Sequence, residues 1–125
     1  MTARDMTAKE LLESYAAGER DFSRVNLSGV DLSETDLLRI NLSYANLSGA
    51  NLVGARLYGA DMRQCNLSEA NLRNVDLRVS RLEQVNFQGA NLLGVNWRNA
   101  ERFGAFFHNT TMPDGTIITE PNRYE

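Results

Sequence analysis

Ala45-Asn46-Leu47-Ser48-Gly49-Ala50-Asn51-Leu52-Val53-Gly54 is one five-residue phrase written twice, and the phrase continues in both directions. A large apolar residue returns at every fifth position from Phe22 through Leu27, Leu32, Leu37, Leu42 and Leu47 to Leu67, Leu72, Phe87, Leu92 and Trp97. The run breaks at Arg102 and resumes at Phe107. Two places before each large residue after Phe22 stands a small or β-branched one, such as Val25, Ala45, Ala50, Cys65 or Ala90, and between the two sits mostly Asp or Asn. Eighteen units fill residues 20–109 without an insertion, a self-similarity that marks a repeat architecture.

A period of five drifts around an α-helix and alternates between the faces of a strand, so it suits neither. The chain must bend once per unit. If each unit forms one short side of a coil, the large residue and its small predecessor both point inward while the other three positions face water. Leu47, Leu52, Leu67 and Leu72 then belong to leucine layers, with Ala45, Ala50 and Cys65 in the smaller layers between them. Backbone hydrogen bonds at strand spacing hold successive coils together.

These units resemble the A-[DN]-L-x-x repeat of the pentapeptide-repeat family, and the resemblance covers about three quarters of the chain. It implies an all-β fold, a right-handed quadrilateral parallel β-helix with four units per coil. Eighteen units then make four and a half coils, a stack of roughly 20 Å at ~4.8 Å per layer. The family is abundant in cyanobacteria, and the resemblance makes such a source an expectation.

Two arginines test the number of sides. Arg56 and Arg81 stand where Asp or Asn is usual. If residues twenty apart are stacked, Arg56 lies between Asp36 and Asp76, and Arg81 between Asp61 and Glu101; an interval of fifteen would surround both with asparagines. The interval of twenty also aligns Asn26, Asn46, Asn66 and Asn86 in one column, whose amides are expected to hydrogen-bond along the axis. The exposed ion pairs report register, being worth about 0–1 kcal/mol each.

Three segments follow from this reading. Residues 1–19 hold a capping helix from about Ala8 to Ala17, announced by the capping-box pair Thr7 and Glu10, the apolar stripe Leu11, Leu12, Tyr15 and Ala16, and the helix stop Gly18. Residues 20–109 form the coil. Residues 110–125 hold the turn Pro113-Asp114-Gly115, the short β-prone run Thr116-Ile117-Ile118-Thr119, and a tail expected to be mobile past Glu120. Arg102 occupies a core position, so the last coil should open, slip to bring Phe103 inward, or let the guanidinium reach solvent. Trp97, Phe103, Phe106 and Phe107 crowd this end, to be covered by the tail or used in self-association.

Composition excludes several function classes. His108 is the single histidine, and no Cys/His cluster, phosphate-binding glycine loop or serine with a base partner is present, so no enzyme, metal or cofactor is expected. One Asp or Asn per unit is the choice of a turn, not of a cation site. Cys65 has no partner for a disulfide. The start of the chain has no apolar targeting segment and no apolar run approaches a membrane span, which predicts a cytoplasmic protein.

The chain carries 13 basic and 16 acidic residues, but residues 20–109 hold ten arginines against nine acids. Surface is what remains for function. The side of Leu27, Leu47, Leu67 and Phe87 should be flat and nearly uncharged, while nearly all the arginines, Arg78 and Arg98 among them, fall on the sides of Leu37 and Phe22. An unknown protein partner is therefore expected, docking on arginines such as Arg78 and Arg98 or on the aromatics Trp97, Phe103, Phe106 and Phe107, with the chain a monomer or a weak end-to-end dimer. The family resemblance implies an alternative, a DNA-mimicking inhibitor of DNA gyrase or another topoisomerase. Mimicry needs a strongly acidic rod, and this body is short and near neutral. Nucleic-acid binding through the arginines is opposed by the interspersed acids and a pI of about 5.2.

Overall fold

Each five-residue unit closes on itself before it meets a neighbour. The carbonyl of the large residue accepts from the N–H three places on, as Leu42 does from Ala45 at 3.1 Å and Leu52 from Ala55 at 2.9 Å. The residue two places after the large one has positive φ, in the manner of a type II turn: Tyr44 at 62°, Gly49 at 67°, Gln64 at 56°. The preceding Asp or Asn reinforces the turn, since its Oδ1 accepts from the N–H two residues on, as in Asn46 with Ser48 at 3.0 Å.

The computed structural model of the protein describes residues 4–125; the first three residues of the N-terminal segment lie outside it. Parallel bridges join Asp21 to Asn41, Asn26 to Asn46, Asp31 to Asn51 and Asp36 to Arg56, and go on at the same interval to Asn91 and Thr111. Residues twenty apart are therefore stacked, and four five-residue units complete one coil. Three kinds of hydrogen bond tie adjacent coils: Leu47 N–H to Asn66 O (2.8 Å), Gly49 N–H to Ser68 O (2.9 Å) and Asn66 N–H to Ala45 O (3.0 Å). The backbone is thereby satisfied without long strands.

All side chains that point inward share one core. Phe22, Leu42, Met62 and Leu82 form one fully buried column; Leu27, Leu47, Leu67 and Phe87 the next; Leu32, Leu52, Leu72 and Leu92 the third; Leu37, Leu57 and Leu77 the fourth. Ala45, Ala50 and Cys65 are buried between them. The Cys65 thiol is pushed well above its ordinary value by burial.

At the lower end, helix α1 spans Ala8–Ala16, with Thr7 and Glu10 exchanging both bonds of a capping box and Gly18 at φ 104° just past the end. It buries Leu11 against the core, and Leu12 and Tyr15 pack there in part. The Tyr15 hydroxyl donates to Leu38 O at 2.9 Å, and the Arg20 guanidinium lies 3.6 Å from the Tyr15 ring centre. Before the helix, Asp5 bridges Asn26 and Met6 N–H donates to Asn26 O at 3.1 Å. Asp5-Met6 thus adds a partial side beneath the first coil.

At the upper end four two-residue strands close the stack: β1 (Phe106–Phe107), β2 (Thr110–Thr111), β3 (Ile117–Ile118) and β4 (Asn122–Arg123). The turn at Pro113 to Gly115 sends β3 back antiparallel onto β2, and β4 pairs antiparallel with β1. This corrects the expected mobility past Glu120: Gly104 N–H donates to Tyr124 O (2.6 Å) and Tyr124 N–H to Ala105 O (2.8 Å), so the tail covers an edge that would otherwise stay unpaired. Arg102 takes none of the three expected routes in pure form. The register holds, Phe103 stays 63% exposed, and the Arg102 guanidinium lies between the Trp97 ring (4.5 Å) and the Tyr124 ring (4.8 Å). Two aromatic faces replace the missing apolar layer.

Candidate functional site

The turn positions of the four sides present very different surfaces. On the Leu27 side the column Asn26, Asn46, Asn66 and Asn86 faces out, and each Oδ1 accepts from the backbone N–H two residues on, at 3.2, 3.0, 3.0 and 2.9 Å. This corrects the expectation of amides bonded along the axis, because closing the local turn uses the amide oxygen first. The axial bond in this column is Asn26 Nδ2 to Asp5 Oδ1, at 2.8 Å. Glu69 is the one carboxylate among this side's turn positions, which makes it a smooth polar wall.

Charge is concentrated on two adjoining sides. On the Phe22 side Asp61 takes two bonds from Arg63, at 2.9 and 2.7 Å, and hydrogen bonding to Arg63 holds its carboxyl below the usual range. Arg81, stacked between Asp61 and Glu101 as the register requires, turns its guanidinium to Glu83 at 2.7 Å, not to either stacked acid. The reason is competition: Asp61 is already occupied by Arg63. Arg56, by contrast, pairs with Asp36 one coil below and donates to Glu34 O at 2.9 Å.

The Leu37 side has a different balance. Its exposed positions carry Arg39, Arg56, Arg78 and Arg98 against Asp36 and Asp76, so it is net positive on a chain of charge −3. Arg78 is fastened to Asp76 by two bonds, at 2.9 and 2.8 Å, and lies 5.4 Å from the Tyr58 ring centre. Hydrogen bonding to Arg78 holds the Asp76 carboxyl low. Arg39 and Arg98 are exposed and, among the described residues, make no ion pair. Arg39 lays its stem toward the next coil, where a Cβ on Gly59 would sit 3.4 Å from its Cγ. Between the two free arginines stand Tyr58 and Val79 (45% exposed), and Leu38 (46% exposed) lies beside Arg39.

Val79 is anomalous. It sits at the left-handed turn position with φ 62°, where its own column has Arg39, Gly59 and Asn99. A β-branched residue is the poorest choice there, and burial does not compensate.

The other anticipated contact residues divide. Phe107 is buried and stacked on Phe87, with centres 5.5 Å apart and planes at 2°. Trp97 meets Phe87 edge-on at 6.4 Å and is half-buried beneath Arg102. Phe106 is half-buried, with the Arg123 guanidinium 5.1 Å from its ring centre. Phe107 is therefore corrected from a surface residue to a core residue, and Phe103 remains the open aromatic. Among the described residues no group of three or more His, Cys, Asp or Glu is placed to hold a metal ion, and no helix is long and apolar enough to cross a membrane.

A repeating turn every five residues, bridges every twenty and a single internal apolar core define a β-helix solenoid. The sequence profile described as pentapeptide repeats matches in eight copies, over residues 21–57, 40–78 and 80–113. The chain belongs to the pentapeptide-repeat family. It is similar to the crystal structure of alr5209, a pentapeptide-repeat protein from Nostoc PCC 7120, at 35% identity and a TM-score of 0.69, over 96% of this chain and 90% of that one. Rfr23, a pentapeptide-repeat protein from the cyanobacterium Cyanothece 51142, matches at 30% identity and a TM-score of 0.73, over 88% and 82% of the two chains. HetL, a pentapeptide-repeat protein involved in heterocyst differentiation regulation in Nostoc PCC 7120, matches at 37% identity and a TM-score of 0.65. That match covers 78% of this chain and 43% of HetL, so the chain spans less than half of that relative's length. No curated protein matches.

Proposed function

We propose that this chain is a non-enzymatic, cytoplasmic interaction module, a right-handed quadrilateral β-helix that presents fixed columns of side chains to a protein partner. The observation that carries this reading is the Leu37 side, where exposed Leu38 and Val79 and half-buried Tyr58 stand among arginines on a backbone cross-bonded at every coil. A rigid surface loses little conformational freedom when it binds, which favours association at modest contact area.

Affinity capture from a lysate of the source organism, with mass spectrometry of the retained proteins, tests it. A partner retained stoichiometrically at physiological salt supports the reading, and recovery of none removes it. The alternative, DNA mimicry directed at gyrase, requires acidic walls; the net positive Leu37 side and the ten arginines of residues 20–109 oppose it. Unimpaired supercoiling by gyrase at micromolar protein is the expected result.

A further inference from the structure

The Leu37 side can be read further, and this step rests on the reading of the chain as an interaction module. We infer that it docks an extended acidic protein segment with two carboxylates four residues apart and an apolar side chain midway between them.

Three observations lead there. First, the charge: four arginines face two aspartates on this side, and both aspartates are already held, Asp36 by Arg56 and Asp76 by Arg78. Arg39 and Arg98 are left to meet an outside anion. Second, the spacing: their units are three coils apart, roughly 14 Å at ~4.8 Å per layer, which matches four residues of extended chain at ~3.4 Å each. Side chains four apart on a strand share a face, and so does the residue midway. Third, the apolar centre: Tyr58 and Val79 lie between the two arginines, and Leu38 lies beside Arg39. Val79 keeps a backbone conformation that glycine or asparagine would adopt more easily. Its side chain is of no use to the core, but it supplies apolar surface where the midpoint of such a segment would rest.

Other occupants fit less well. A nucleic acid would meet Asp36 and Asp76 as well as the arginines, and it has no use for exposed Leu38 and Val79. A second copy of the chain would bring its own net positive Leu37 side, the Leu27 side with the single carboxylate Glu69, the Leu32 side, whose Asp31 and Glu34 sit in one coil, or the Phe22 side, whose Asp61 and Glu83 are already held by Arg63 and Arg81.

The test titrates the full-length ¹⁵N-labelled protein with the synthetic peptide acetyl-Ser-Glu-Ser-Leu-Ser-Glu-Ser-amide, reading amide shifts by NMR. The expected result is saturable shifts confined to the neighbourhood of Leu38, Arg39, Tyr58, Val79 and Arg98. A peptide with lysine in place of glutamate should produce none, and one with its glutamates three apart should bind at least about tenfold more weakly. Arg39→Ser with Arg98→Ser should abolish the shifts, and Val79→Gly should weaken binding about fivefold while raising the melting temperature, so that loss of binding cannot be loss of fold. Absence of shifts at millimolar peptide, shifts on another side, or a Val79→Gly protein that binds as well as the parent would each overturn the inference. So would tighter, arginine-dependent binding of duplex DNA or of phosphatidylglycerol vesicles. If a captured partner is retained equally by the parent and by Arg39→Ser/Arg98→Ser, the module reading stands and this surface assignment falls.

Discussion

Replacing Leu67 with alanine removes apolar volume from the middle of the stack, and the size of the loss follows from the geometry. Leu67 is fully buried between Leu47 and Phe87 of its column. Deleting the equivalent of three methylenes at ~0.8 kcal/mol each costs about 2.4 kcal/mol in transfer energy. A cavity contribution adds to this only if the walls cannot close. Here they are pinned: Leu67 N–H donates to Asn86 O at 2.9 Å and Leu47 N–H to Asn66 O at 2.8 Å, which holds the coils above and below at fixed spacing. The predicted cost is therefore about 4 kcal/mol, toward the upper part of the range for such substitutions. Leu27→Ala, in the same column but with the partial side Asp5-Met6 beneath it instead of a further full coil, should cost about 2–3 kcal/mol because a single short segment can settle. Urea unfolding followed by circular dichroism measures both. Equal costs below about 1 kcal/mol would show that these side chains are not locked in a packed column.

Val79→Gly should stabilise the protein by about 1 kcal/mol, seen as a higher urea midpoint with unchanged slope, because it relieves the left-handed β-branched residue. Cys65 should resist alkylation in the native protein and react only as fast as the coil opens, since the thiol is buried and burial disfavours the thiolate. Stability should hold from neutral pH down to about 5 and fall below about 4. The carboxyls of Asp61 and Asp76, held low by bonds from Arg63 and Arg78, and of Asp21 and Asp31, held low by Ser23 and Ser33, support the fold while ionised. Because their folded values lie below the unfolded ones, this contribution is complete above the unfolded value and is lost as protons bind on acidification. Thermal melts across that range, with Asp76→Asn showing a shallower acid slope, check it.

The coil was legible because its determinants are local and repeated: one turn, one large residue and one small residue per unit, with Arg56 and Arg81 marking which units share a column. What escaped the reading is what departs from the period. Asp5-Met6 imitates the Asp-Leu pair of a unit, but it bridges Asn26 at an interval of twenty-one because helix α1 intervenes, so it falls outside the frame of five. The pairing of Asn122–Arg123 with Phe106–Phe107 depends on an edge that exists only once the last coil has formed. Arg102 finds Trp97 and Tyr124, a partner five residues back and another far along the chain, which no spacing rule connects. The choice of Arg81 between Glu83 and the stacked acids was set by Arg63 already holding Asp61. Val79 could have been noticed, since a β-branched residue at the third turn position is out of place as soon as that position is known to need positive φ.

Methyl-to-methyl nuclear Overhauser effects in a selectively leucine-labelled sample test the stacking most directly. Cross-peaks from Leu47 to Leu27 and to Leu67 are predicted, at twenty residues in each direction. A three-sided coil would instead set Leu47 directly above Leu32, fifteen residues back, so a strong Leu47 to Leu32 cross-peak with no Leu47 to Leu67 cross-peak would contradict four sides.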